Sequence, residues 1–204
     1  MPAIEQLRVA GDPGPWRELG FCVDDDTFVA GSVTVRLTPD AGGGLVGWSV
    51  SGLSGTDLDG LPTEPGNGEA RRPSPSHPNG AVSIDHVVVT TPDLERTLAA
   101  LGTAGLDLRR RREVDSARGP VRQAFYRLGE VVLEVVAAPG TPAGPAAFWG
   151  LVFTVADLDA CARLLGGRLG AVKDAVQPGR RIATVRRDAG LRLPVALMSH
   201  NARR

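Results

Sequence analysis

Two stretches of this chain can be laid over one another. VTTPDLERTLAAL (89–101) and FTVADLDACARLL (153–165) align when Asp93 is placed on Asp157. A repeat of this size means that the chain is built from one supersecondary unit used more than once, each copy covering the apolar face of its neighbour. In the first copy Ser83–Thr90 (SIDHVVVT) is β-branched and apolar and reads as a strand. Thr91, Pro92 and Asp93 then look like a helix entry, Leu94, Leu98 and Leu101 share one helical face, and Gly105 stops a helix expected from about 92 to 104. Three extended runs follow, Leu106–Val114, Val121–Leu128 and Val131–Val136, the last two joined by a tight Gly129-Glu130 turn. The order is β-α-β-β-β.

The C-terminal copy repeats that order. Phe148–Val155 leads into Asp157, Leu158, Cys161, Ala162 and Leu165 at helical spacing, followed by Leu169–Ala175, Arg181–Arg187 and Pro194–Ser199. The N-terminal segment is a looser version. Gln6–Ala10 meets Asp12-Pro13, a short helix carries Trp16 and Leu19, and Cys22–Ala30, Ser32–Leu37 and Leu45–Val50 are its expected strands. Proline- and glycine-rich stretches separate the copies. The expected organisation is a degenerate module over 1–59, a linker over 60–80, a module over 81–137, a short linker over 138–146 and a module over 147–204.

Modules whose first strand reads IDHVVVTTPDLERT and whose fourth reads VVLEVV resemble the vicinal oxygen chelate superfamily, which includes glyoxalase I, extradiol dioxygenases, methylmalonyl-CoA epimerase and bleomycin-resistance proteins. The resemblance covers 82–200 well and 1–55 weakly. It implies an α+β fold in which repeated βαβββ modules pair into a cup-shaped, barrel-like mixed sheet with helices outside and a ligand cavity within. It also implies metal ligands at a His on the first strand and a Glu on the fourth, here His86 and Glu134.

The residues give separate grounds for interest in that pair. In VVLEVV, Val132, Glu134 and Val136 share one face and Val131, Leu133 and Val135 the other, so Glu134 is a carboxylate inside an apolar ribbon. A buried carboxylate is costly unless paired, hydrogen-bonded or bound to a metal. Imidazole with carboxylate suits divalent Fe, Mn, Ni or Zn, while a structural His–Glu hydrogen bond is the plainer alternative. The last module offers Gly150 opposite His86, and Ala196, Leu197 or Met198 opposite Glu134; the first offers Leu7 and about Trp48. None is a hard-metal ligand, and a catalytic ion usually takes about three protein ligands. Three modules make an odd number, so a two-fold homodimer pairing each middle module with its counterpart would gather two His86 and two Glu134.

Other residues fill in the expected cavity. Of Arg122, Gln123, Phe125 and Tyr126, on the third strand of the middle module, alternation places one pair beside Glu134 without selecting which, and Gln123 and Phe125 are the expected substrate contacts. The turn Gln177-Pro178-Gly179-Arg180-Arg181 offers two arginines that could hold a substrate carboxylate, against the plainer reading of a solvated turn. Arg109–Arg112 reads as an edge strand blunted by charge. His77 and His200 are expected to be solvated, Trp16, Trp48 and Trp149 to anchor the core, and Cys22 and Cys161 to be small core residues.

Composition removes several function classes. Among 204 residues, 23 basic side chains balance 23 acidic ones, so nothing favours a nucleic-acid backbone as partner. No apolar run approaches the roughly 18 residues of a membrane helix. MPAIEQLRVAGDPG lacks a basic flank leading into an apolar stretch, so no secretion signal and a cytoplasmic location are expected. There is no Ser-His-Asp order, phosphate-binding glycine loop or CxxC pair. The leading expectation is a glyoxalase-like protein acting on a small oxygenated metabolite. In the enzymes it resembles, a divalent ion chelates two neighbouring substrate oxygens and stabilises an enolate, as in lyase, isomerase or dioxygenase chemistry, with Glu134 placed to act as general base. The alternatives are a metal-free binding or sequestering protein of the resistance type and a structural dimer without catalysis.

Overall fold

The computed structural model describes residues 1–39, 42–68 and 74–200. Its second part follows the repeat. β6 (Ala81–Thr90), α2 (Leu94–Thr103), β7 (Leu108–Ser116), β8 (Gly119–Leu128) and β9 (Val131–Ala137) form one βαβββ unit. β10 (Ala147–Val155), α3 (Leu158–Leu165), β11 (Lys173–Asp174), β12 (Arg181–Thr184) and β13 (Val195–Ser199) form the next. The aligned aspartates do the same work in both. Asp93 accepts the N–H of Arg96, and Asp157 accepts those of Asp159 and Ala160, so each satisfies backbone donors that the first helical turn leaves open.

All eight strands join one curled sheet in the order β11-β12-β13-β10-β6-β9-β8-β7. Within each unit the first strand pairs in parallel with the last, and the units meet where β6 and β10 run antiparallel. β10 therefore occupies the β6 edge within the chain. That is the edge along which a dimer of middle modules was expected to pair. The strand expected over Leu169–Ala175 shrinks to a bridge at Leu169 and the two residues of β11, after a 3-10 turn at Gly166–Arg168.

The N-terminal part departs further from expectation. β1 (Ala3–Ala10), α1 (Pro13–Glu18), β2 (Thr27–Ala30), β3 (Val33–Thr38), β4 (Leu45–Ser51) and β5 (Thr63–Pro65) build a five-stranded sheet in the order β2-β3-β1-β4-β5. β4 does not close the first unit. It runs antiparallel to β1, as β10 does to β6, and β5 lies parallel to β4, as β13 does to β10. The small sheet is thus a reduced copy of the whole two-unit arrangement. Its last strand comes from the proline-rich stretch.

Parts of that stretch are firmly held. Leu61 and Asn79 are buried, and Asp59 takes Arg96 through both oxygens (2.8 and 3.2 Å) and the Thr97 hydroxyl at 2.5 Å, tying the chain to α2. His77, expected to be solvated, is 4% exposed: its Nδ1 accepts the N–H of Cys22 at 2.9 Å and its Nε2 meets the Val29 carbonyl at 2.8 Å. Cys22 is exposed instead, while Cys161 is buried and burial pushes its thiol up to about 11. One continuous core spans both sheets. Trp16, Phe21 and Phe28 pack on Phe153, and Trp48 packs edge-on to Phe148. The side chains that point away from the cup, among them Ile84, Val87, Leu133 and Val135, belong to this core.

Candidate functional site

The opposite face of the eight-stranded sheet is the concave one. Along β9 burial alternates, with Val131, Leu133 and Val135 fully buried in the core and Val132, Glu134 and Val136 half-buried facing the cup. β8 alternates in register with it: Phe125 lies beside Glu134 and Gln123 beside Val136, while Ala124 and Tyr126 turn to the core. His86 reaches the cup from β6, and its Nε2 stands 3.4 Å from Glu134 Oε2. Gln123 Nε2 donates to Glu134 Oε1 at 2.6 Å. His86, Glu134, Gln123 and Phe125 are therefore brought together on one wall.

Asp85 joins them against simple alternation. Val152 of β10 pairs with His86, but Phe153 pairs with Ile84, so Asp85 is the extra residue of a β-bulge. The bulge lets two consecutive side chains serve the same site while Ile84 returns to the core. Asp85 Oδ2 meets His86 Nδ1 at 2.9 Å, and Oδ1 takes Arg180 Nη1 at 2.7 Å and the Thr154 hydroxyl at 3.3 Å. Burial by itself would raise the Asp85 carboxyl; the hydrogen bonds from His86 and Arg180 and the arginine's charge outweigh it and hold the group at about 2. An ionised carboxylate only accepts, so His86 Nδ1 carries the proton of that contact and Nε2 is the atom turned to Glu134.

Neither arginine of the 177–181 turn is free for a substrate. Arg180 is 11% exposed at its side chain and spends Nε on the Ser199 carbonyl, Nη1 on Asp85 and Nη2 on Thr154. Arg181 points away and pairs with Asp159 of α3 at 2.7 and 3.0 Å. The expectation for Arg181 fails because β12 alternation sends it to the helix side. Trp149 is also corrected. A register shift between Phe148 and Gly150 bulges it outward, and it is 53% exposed at the cup rim rather than in the core. Arg110 and Arg112 were expected in a purely solvated edge, yet both line the cup.

Two chambers flank the His86–Glu134 pair and share it. One, about 450 Å³, is walled by Val88, Val136, Leu151, Trp149, Ile182 and Ala196. The other, about 510 Å³, is the more polar of the two, with Asp85, Arg110, Arg112, Phe125 and the Val176-Gln177-Pro178 turn around it. Facing the pair, the C-terminal unit presents the apolar side chains Val152, Ala196 and Met198, with Thr184 in the first chamber and Gln177 in the second, and none of these is a hard-metal ligand of the His or carboxylate type. Gly150 cannot become a ligand there, since a Cβ on it would lie 2.6 Å from the Pro194 carbonyl oxygen. Among the described residues no group of three or more His, Cys, Asp and Glu gathers around a common point.

The donor set nevertheless fits an ion at two positions. Nε2 and Oε2 are farther apart than a normal hydrogen bond of about 2.7–3.2 Å. Two ligands each ~2.1 Å from a divalent ion at tetrahedral or octahedral angles stand ~3.0–3.4 Å apart. Gln123 Oε1 is buried with no partner among the described residues, an oxygen acceptor beside the same carboxylate.

Residues 83–189, more than half of the chain, match the family model of the Glyoxalase/Bleomycin resistance protein/Dioxygenase superfamily. The chain belongs to that superfamily. Among solved structures, a mutant of 4-hydroxymandelate synthase from Streptomyces coelicolor is 14% identical, with a TM-score of 0.63 over 100% of this chain and 94% of that one. A fusion of a xylose isomerase-like TIM barrel with 4-hydroxyphenylpyruvate dioxygenase is 14% identical, with a TM-score of 0.62 over 99% of this chain and 50% of that one. Methylmalonyl-CoA epimerase from Mycobacterium tuberculosis is 19% identical over 59% of this chain and 89% of its own, with a TM-score of 0.48. With the first two of these the shared property is the fold. No curated protein matches the sequence.

Proposed function

We propose that the protein binds a small oxygenated metabolite in the cup and transforms it at His86 and Glu134, with a divalent ion held by those two side chains. One observation carries the reading: Nε2 of His86 and Oε2 of Glu134 face each other at 3.4 Å, each fixed from behind, the ring by Asp85 and the carboxylate by Gln123. Such backing groups orient metal ligands and sharpen their donor character. The ion would supply Lewis-acid neutralisation of charge building on neighbouring substrate oxygens. The chain's own residues do the rest. Glu134 Oε1 is committed to Gln123, so Oε2 is the oxygen that would hold the ion and that, only when released from it, would accept a proton from substrate carbon. The apolar walls at Val88, Val136 and Leu151 exclude water, and Arg180 keeps Asp85 in place behind the ring.

Metal analysis of protein purified without chelator tests this. The expected result is roughly one equivalent of Fe, Mn, Ni or Zn per chain, lost in His86→Ala. Protein that holds no metal and takes none up on addition contradicts it. A second reading, a metal-free binding protein, is favoured by the two-residue ligand set, and in it the His86–Glu134 pair orients the ligand by hydrogen bonds. Under that reading a ligand raises the melting temperature of metal-free protein.

A further inference from the structure

β7 carries four consecutive arginines, and the structure separates their roles. A register shift at Arg109 sets Leu108 against Tyr126 and Arg110 against Phe125, so the strand's faces are reassigned at that point. Arg111 lies on the helix side and binds Glu95 through both guanidinium nitrogens, at 2.9 and 3.2 Å. Arg110 and Arg112 lie on the cup side, opposite Phe125 and Gln123, and line the more polar chamber. Neither has an ion pair or side-chain hydrogen bond among the described residues. Alternate residues on one strand face project side by side about 7 Å apart, so two like charges stand together with nothing between them.

The acids of the chamber make no ion pair with them: Asp85 is matched by Arg180, and Glu134 is hydrogen-bonded by Gln123 and stands 3.4 Å from His86. On the far side of His86 and Glu134 the space is apolar, at Trp149, Leu151 and Ile182. A ligand that fills both chambers must be charged at one end and greasy at the other, with its reactive carbons in the middle. Paired guanidinium forks match the planar or tetrahedral oxygens of carboxylate and phosphate.

We infer that Arg110 and Arg112 form an oxyanion-recognition edge, and that the substrate class is an amphiphilic organic acid. Its carboxylate or phosphate binds β7, its oxygenated centre lies at His86–Glu134, and its apolar tail occupies the chamber under Trp149. The inference rests on the cup being the ligand site, but it needs no ion.

Binding by chelator-treated full-length protein therefore tests it separately from metal content, with calorimetry and thermal shift as readouts. The probes are 2-oxooctanoate, octyl phosphate and the uncharged 2-octanone. At least one of the two anions is expected to bind about tenfold or more tighter than the ketone, and the stronger of them identifies the head group. Arg110→Gln/Arg112→Gln removes that preference and its salt dependence, while Arg109→Gln, on the same exposed strand outside the chamber, retains both. Equal affinity for the ketone, an undiminished anion preference in the double variant, or no binding of any of the three overturns the inference. Loss of metal binding in His86→Ala bears on the proposed chemistry alone.

Discussion

At Asp85, burial opposes ionisation, yet the contacts of His86 and Arg180 lower the carboxyl from 3.8 to about 2. The stability linked to this group is fully present above about pH 3.8 and is lost as pH falls through about 2. Arg180→Met leaves the carboxylate with a weaker partner set and should cost about 3–5 kcal/mol, with the acid limb of the stability curve moved to higher pH. Urea unfolding from pH 2 to 7 reads both effects; an unchanged acid limb contradicts the account. His77 behaves in the opposite chemical sense. Burial lowers its pKa below 6.5, outweighing the hydrogen bond at Val29, so the unfolded chain binds the proton more readily. Stability should be flat above about pH 6.5 and fall below it, and His77→Gln should flatten that slope, as melting temperature against pH will show. His86 and Glu134 stood out in the sequence through the family resemblance, supported by the demand of a polar residue inside an apolar strand for a partner. Asp85 did not, since strict alternation puts it on the other face and only a bulge returns it. Arg180 was legible as an arginine near the cup, but its bond to Asp85 was hidden with the bulge.

Among the elements, the helices were the most readable, since Asp93 and Asp157 each cap a turn followed by leucines at helical spacing. β9 was equally clear, its face pattern following directly from VVLEVV. What failed were elements whose pairing depends on distant chain. β4 reads as a closing strand but runs antiparallel to β1, whose parallel partner is β3, and β5 hides in a proline-rich stretch because its three residues are strand only by pairing with β4. The same closeness of distant segments makes β10 sensitive at Gly150. Gly150→Ala would force a Cβ to 2.6 Å from the Pro194 carbonyl oxygen and should destabilise the protein by about 1–3 kcal/mol, measured by chemical denaturation. A neutral result would mean that β13 does not approach β10 as described.

On the scale of the whole molecule, the five-stranded sheet repeats the eight-stranded one in miniature, so the chain contains an even rather than an odd set of units. Both sheets bury their facing side chains in one cluster, from Leu7 and Trp48 to Leu133 and Phe153. Calorimetry should therefore show one cooperative unfolding transition, and two resolved transitions would contradict a shared core. The small sheet braces the face behind β6, β8 and β10, which leaves the cup face for ligand. Among the described residues no helix is long and apolar enough to cross a membrane. The cup-floor pair is the proposed binding centre, and an anomalous-difference map from crystals grown with Mn²⁺ addresses it directly. The predicted result is a single peak between His86 Nε2 and Glu134 Oε2, absent in Glu134→Gln. A map with no peak there, or with the ion held elsewhere, contradicts it.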